Sequence, residues 1–164
     1  LSAAPFLLPG RGNPPMSQHP EITVRQIASD DELSACLDIR RVVFIDEQGV
    51  SEVEEMDGKE HICDHLIALD GDEAVATSRL NWLDGTKLKI QRVAVLKPYR
   101  GSGIGLKMIR EAIRIGSERP GIGMVILEAQ VSAIGFYEKI GFVAEGPVFM
   151  DAGIEHRLMT LPLD

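Results

Sequence analysis

Cysteine is scarce in this chain, aromatic residues make up only 5% of it, and its cations are outnumbered. Each shortage excludes something. The two cysteines, Cys36 and Cys63, have no paired spacing and form no C-x-x-C, so neither a disulfide framework nor a zinc knuckle has support, and a reducing cytoplasm is the expected location. Seventeen Lys and Arg against twenty-five Asp and Glu leave a formal charge of -8. Such a field repels nucleic acid and anionic membranes instead of collecting them. No apolar run approaches the roughly 18 residues that a bilayer crossing needs. The opening LSAAPFLLPGRGNPP holds a short apolar patch, but it has no basic start and is cut by Pro5, Pro9, Pro14 and Pro15. It reads as a flexible tail over residues 1–20, not a signal peptide, and Met16 is a candidate natural start.

What remains is ordinary material for an α/β domain: 45% apolar residues, 26% charged residues and 16 glycines in 164 positions. That length supports one domain, expected over residues 21–164. ITVRQIA reads as a strand. SDDELSACLDIRRVVF follows as a helix, with Ser29 or Asp30 as N-cap and acidic residues in the first turn. Asp46 to Glu60, DEQGVSEVEEMDGKE, has no apolar period and reads as a loop or short broken helix, either solvated or covering a substrate. HICDHLIAL, EAVATSRLNWL and KLKIQRVAVL are strand-length runs separated by the turn sequences DGD and DGT, which makes an antiparallel meander. Gln91 beside Arg92 breaks the alternation of the third run, as a β-bulge would.

A helix is expected from Gly103 to Ser117, with Ile104, Met108, Ile109, Ala112 and Ile113 on one face. MVILEAQ then reads as a strand covered on both faces. SAIGFYEKIGF reads as a short helix closed by Gly141, and FVAEGPVF and IEHRLMTLPL as two final strands.

The glycine stretch QRVAVLKPYRGSGIGLKMIREA lies between a strand and the long helix. A P-loop fails, because Lys107 is separated from Gly105 by Leu106 and is followed by Met108. A dinucleotide fingerprint fails too, because the spacing is Gly101-x-Gly103-x-Gly105 and three hairpin strands come first. Arg100-Gly101-Ser102-Gly103-Ile104-Gly105 fits R/Q-x-x-G-x-G/A. Backbone without Cβ atoms can approach a diphosphate, and the N–H groups of a helix start favour its charge.

This stretch resembles the signature of the GNAT superfamily of N-acetyltransferases, and SAIGFYEKIGF is similar to the second signature of that family. VVFIDEQGV, LEAQ and GIEH look like its small bacterial ElaA-like subgroup. The resemblance implies a mixed, mostly antiparallel sheet of six to seven strands with a splayed strand pair and helices on both faces. It also implies acetyl-CoA as co-substrate, its diphosphate on Arg100, Gly101, Ser102, Gly103, Ile104 and Gly105. The pantetheine arm would lie along Val93, Ala94 and Val95, near Gln130 and Tyr137. The acceptor is expected to be a primary amine of a small molecule, an amino acid or a protein, attacking the thioester directly, and a homodimer is compatible with the family. An acyl-CoA-binding module without turnover is the competing reading.

Tyr137 matches the family's general acid, or else its ring simply packs in the core. His156, in GIEHRLM, resembles a terminal-strand base found in some relatives, with Glu47 or Glu128 acting through water as competitors. Arg79 and Arg92 fall in strands suited to burial and need partners: Glu47, Glu128 or a substrate carboxylate. His61, Cys63 and His65 alternate in HICDH, yet no fourth ligand completes a metal site, so none is expected, and His65 is placed near the substrate cleft.

Overall fold

The computed structural model describes residues 22–164. The tail expected over residues 1–20 lies outside the described residues. Seven strands form one sheet in the order β1-β2-β3-β4-β5-β7-β6. They are β1 (Ile22–Gln26), β2 (Asp64–Asp70), β3 (Glu73–Leu83), β4 (Lys87–Val95), β5 (Met124–Gln130), β6 (Val143–Asp151) and β7 (Ile154–Pro162). Only β4 and β5 run parallel. The helices are α1 (Asp30–Arg40), α2 (Glu52–Glu55), α3 (Ile104–Glu118) and α4 (Ile134–Ile140).

Local chemistry explains most boundaries. Ser29 starts α1: its Oγ accepts a hydrogen bond from the Glu32 N–H at 3.2 Å, and acidic residues fill the first turn. α3 buries Ile104, Met108, Ile109 and Ala112 on one face, as its spacing predicts. At about 1.5–3 kcal/mol for each large apolar side chain removed from water, this face alone fixes the helix on the sheet. α4 ends at Gly141, which sits at φ +119.

The two sheet faces carry different cores. On one, α3 and α4 cover Leu88, Ile90, Val93, Val125, Leu127, Ala129 and Met159, with Tyr137 among them. On the other, Ile39, Val43, Phe44 and Val50 pack on Ala94. β5 differs from expectation. Its odd-numbered residues Val125, Leu127 and Ala129 are buried, while Met124, Ile126 and Glu128 are only half-buried. The α1 side does not reach across this strand, so one face is covered fully and the other in part.

α1 runs on into a π-helical stretch, Arg41–Glu47. The wider winding breaks the helical period, which is why the sequence shows no clean end to the helix here. Gln48 caps it, and Gly49 follows at φ +71.

Candidate active site

β4 and β5 pair in parallel only from Lys87–Met124 to Ile90–Leu127. Past that point they splay, and the cause is visible in β4. Arg79 faces Gln91 and Thr77 faces Ala94, so Arg92 and Val93 stand opposite Ser78 alone. This is the bulge that the break in alternation predicts, and Arg92 takes φ +53. A left-handed arginine inside a strand costs about 1–3 kcal/mol and needs compensation from its surroundings.

The compensation comes from the acidic stretch. Glu55, fully buried in α2, is ion-paired to Arg40 Nε at 2.5 Å and to Arg92 Nε at 2.9 Å. Asp57 takes both terminal nitrogens of Arg79 at 2.8 Å. Glu60 reaches Arg40 at 3.0 Å and Arg79 at 3.4 Å. Arg79 Nε also donates to Gln91 Oε1 at 3.1 Å. Among the described residues the carboxylates paired with Arg79 and Arg92 are therefore Glu55, Asp57 and Glu60, where Glu47 or Glu128 is expected from sequence. Nor is the acidic stretch a solvated loop: three of its carboxylates pin it over β3 and β4.

Burial would raise Asp57, but the hydrogen bonds from Arg79 and from the Lys59 N–H outweigh it and hold the carboxyl well below its ordinary range. Glu60 is lowered against the same opposing burial, by its own backbone N–H and by Arg40. In Glu55 burial prevails over both arginines and the carboxyl is raised. His65, on β2 opposite Arg79, is 4% exposed and lies 3.0 Å from the Glu60 carbonyl through Nε2. Burial lowers its pKa, so it stays neutral beneath this cluster.

The glycine turn follows β4. Arg100 Nε donates to the Val95 carbonyl at 2.8 Å, and Ser102 Oγ donates to the Tyr99 carbonyl at 2.5 Å, which closes the turn from within. Gly101 at φ +77 and Gly103 at φ +88 take a left-handed backbone that side chains disfavour. Gly103 is the N-cap of α3 and supplies no side-chain cap, so the helix start keeps N–H groups to offer an anion. These features fit a diphosphate. Val93 and Val95 bury their side chains in the core, and their strand has lost β5 as a neighbour.

The π-helical stretch brings two side chains to this region. Glu47 lies 2.7 Å from Arg100. That places Glu47, a candidate base acting through water, at the glycine turn and paired to a cation. Gln48 exchanges amide hydrogen bonds with Gln130 at 3.1 and 3.4 Å, tying this stretch to the end of β5. Glu128 pairs with Lys89 at 2.7 Å.

Strand alternation sorts the rest by face. Tyr137 is fully buried on the α3 and α4 face, edge-on to Phe136 and Phe142, and burial raises its pKa, so the phenol stays protonated. Glu128 and Gln130 point to the opposite face, and His156 stands opposite Gln130 on β7. His156 is fully buried, with Nδ1 2.7 Å from the Ile154 carbonyl. A carbonyl only accepts, so Nδ1 carries a hydrogen, and in the neutral ring Nε2 holds the lone pair. Among the described residues Nε2 has no hydrogen-bond partner.

An uncapped helix start beside a sheet opened between two parallel strands offers a place for an anionic ligand. The model of the acetyltransferase (GNAT) family matches residues 24–142, and the chain belongs to that family. The uncharacterized N-acetyltransferase YjcF of Bacillus subtilis (strain 168) is 35% identical over 132 residues, covering 80% of this chain and 93% of its own length. The crystal structure of Escherichia coli ElaA is 26% identical, covers 85% of this chain and 98% of its own, and superposes with a TM-score of 0.76. A GNAT acetyltransferase from Elizabethkingia anophelis with acetyl-CoA bound shares the fold at 18% identity, with a TM-score of 0.68 over 87% of this chain and 98% of its own.

Gln48, Glu55, Asp57, Glu60 and Lys89 escape the sequence reading. Their signal is weak, because each partner lies far along the chain: 82 residues from Gln48 to Gln130, 22 from Asp57 to Arg79 and 39 from Lys89 to Glu128.

Proposed function

We propose that this protein transfers an acetyl group from acetyl-CoA to a primary amine by direct attack, with donor and acceptor approaching from opposite faces of the opened sheet. The observation that carries this reading is the β4–β5 splay beside the glycine turn, with Tyr137 on one face and His156 on the other. Acetyl-CoA supplies a thioester as the activated acyl group. The α3 N-terminus and the glycine turn hold its diphosphate, and Val93 and Val95 line its arm with Ala94 between them. Arg100, positioned by Glu47, adds a cation at the same turn.

The amine must be neutral to attack, since an alkyl ammonium near its reference pKa of about 10.4 has no lone pair. His156 Nε2 accepts that proton. A C–N bond forms, the C–S bond breaks, and the phenol of Tyr137 protonates the departing sulfur. A phenol raised by burial remains a proton donor throughout the neutral range, and acid or base assistance of this kind contributes about 10²–10⁴ in rate.

A screen of amines with acetyl-CoA, read as free thiol, tests the reading. Wild type should release thiol with at least one amine, and Tyr137→Phe and His156→Ala should each slow it by about a hundredfold. Binding of acetyl-CoA without turnover across the panel would instead mark an acyl-CoA-binding module.

A further inference from the structure

The last pair that joins β4 to β5 is Ile90–Leu127. Following both strands onward from there, with the bulge at Arg92 allowed for, sets Gln130 across the opening from Val93 and Ala94. Alternation sends the Gln130 side chain to the face of Glu128 and His156, away from Tyr137. Gln130 is only 3% exposed, and its amide has one partner: it donates to Gln48 Oε1 at 3.1 Å and accepts from Gln48 Nε2 at 3.4 Å.

Gln48 belongs to the other bank of the opening. It caps the π-helical stretch, whose Val43 and Phe44 pack on Ala94 of β4. The backbone just after it is held in place: the Gly49 N–H donates to the Ile45 carbonyl at 3.0 Å and the Val50 N–H to the Phe44 carbonyl at 2.9 Å. The Val50 side chain is buried in the same cluster, with Ala152 and Ile154 of the β6–β7 hairpin against it. The two amides therefore form a strut across the opening, from the cover of β4 to the end of β5. π-Helical turns recur at functional sites, and this one ends at the strut.

With the diphosphate at the glycine turn, the arm of the donor runs back along Val95, Ala94 and Val93, and its thioester comes to the level of Gln130. Resting on the acetyl-transfer reading above, we propose that Gln48 limits the size of the acyl group: tied to Gln130, it roofs the opening on the acceptor's face and leaves room for acetyl but not for a longer chain. A longer chain must turn one amide aside. Both hydrogen bonds are then lost and the buried Gln130 amide is left unpaired, a penalty of about tenfold or more in affinity.

The test is calorimetric titration of acetyl-CoA, propionyl-CoA and butyryl-CoA into the full chain, without an acceptor, for wild type and Gln48→Ala. Wild type should bind acetyl-CoA about tenfold or more tighter than butyryl-CoA, and Gln48→Ala should cut that ratio to about threefold or less by improving butyryl-CoA. The wild-type ratio is read whether or not the variant folds. A merely structural Gln48 would weaken all three ligands alike on substitution. That result, or butyryl-CoA bound by wild type as tightly as acetyl-CoA, overturns the proposal. Thiol release with an amine panel separates this from the reading it rests on: equal use of all three donors would overturn the size limit and leave transfer standing. The predicted binding ratio with no thiol released from any amine would overturn transfer and support the size limit.

Discussion

The two faces of the opened sheet are built by different means. On the side where we propose that the donor binds, the work is done by backbone: Gly101 and Gly103 in left-handed conformations, a helix start without a side-chain cap, and a strand that has parted from its neighbour. On the opposite face, where we propose that the acceptor binds, it is done by charged side chains, three arginines against three carboxylates over a bulged strand. Backbone devices leave a local mark in sequence. Charge networks leave almost none, because a carboxylate that will be buried looks the same in sequence as one that will not.

The sharpest way to break the acceptor face is Glu55→Ala. It strips a fully buried carboxylate from Arg40 and Arg92 and should cost about 3–5 kcal/mol in urea unfolding. Acid probes the same network. The folded protein keeps Asp57 and Glu60 ionised to lower pH than the unfolded chain does, so protons bind the unfolded state first. Their contribution is complete above about pH 5 and is lost as pH falls below it. Glu55, raised by burial, works in the other direction: its contribution is full below its unfolded value and declines as pH rises. Thermal melts from pH 3 to 7, in wild type and Asp57→Asn, should show a weaker acid loss in the variant.

Next in size is Tyr137→Phe, which removes the buried donor and should lower kcat about a hundredfold in a thiol-release assay. Gly103→Val forces a β-branched residue to φ +88 and should raise the KM for acetyl-CoA about tenfold, the equivalent of about 1.4 kcal/mol. The smallest effect is expected at Ser29→Ala, which removes the α1 cap and should cost about 1 kcal/mol in urea unfolding, well away from either ligand.

The contrast also explains what could be read in advance. All seven strands and α3 were legible from alternation, three-and-four spacing and turn residues. The bulge at Gln91 and Arg92 was legible as a break in that alternation. Its consequence was not: the splay depends on Glu55 and Asp57, 37 and 35 residues upstream of Arg92. The π-helical stretch gave no periodic signal, so Glu47 was placed among candidate bases and its neighbour Gln48 went unnoticed. The parity of β5 and β7 was implicit in the sequence, yet only their register puts His156 beside Gln130.

Two-substrate kinetics on Gly103→Val and His156→Ala test the division of labour most directly. Donor and acceptor held on separate faces predict that Gly103→Val raises the KM for acetyl-CoA, whereas His156→Ala lowers kcat and leaves that KM unchanged. If Gly103→Val leaves the acetyl-CoA KM unchanged, or raises the amine KM equally, the donor is not held by the glycine turn and the account fails.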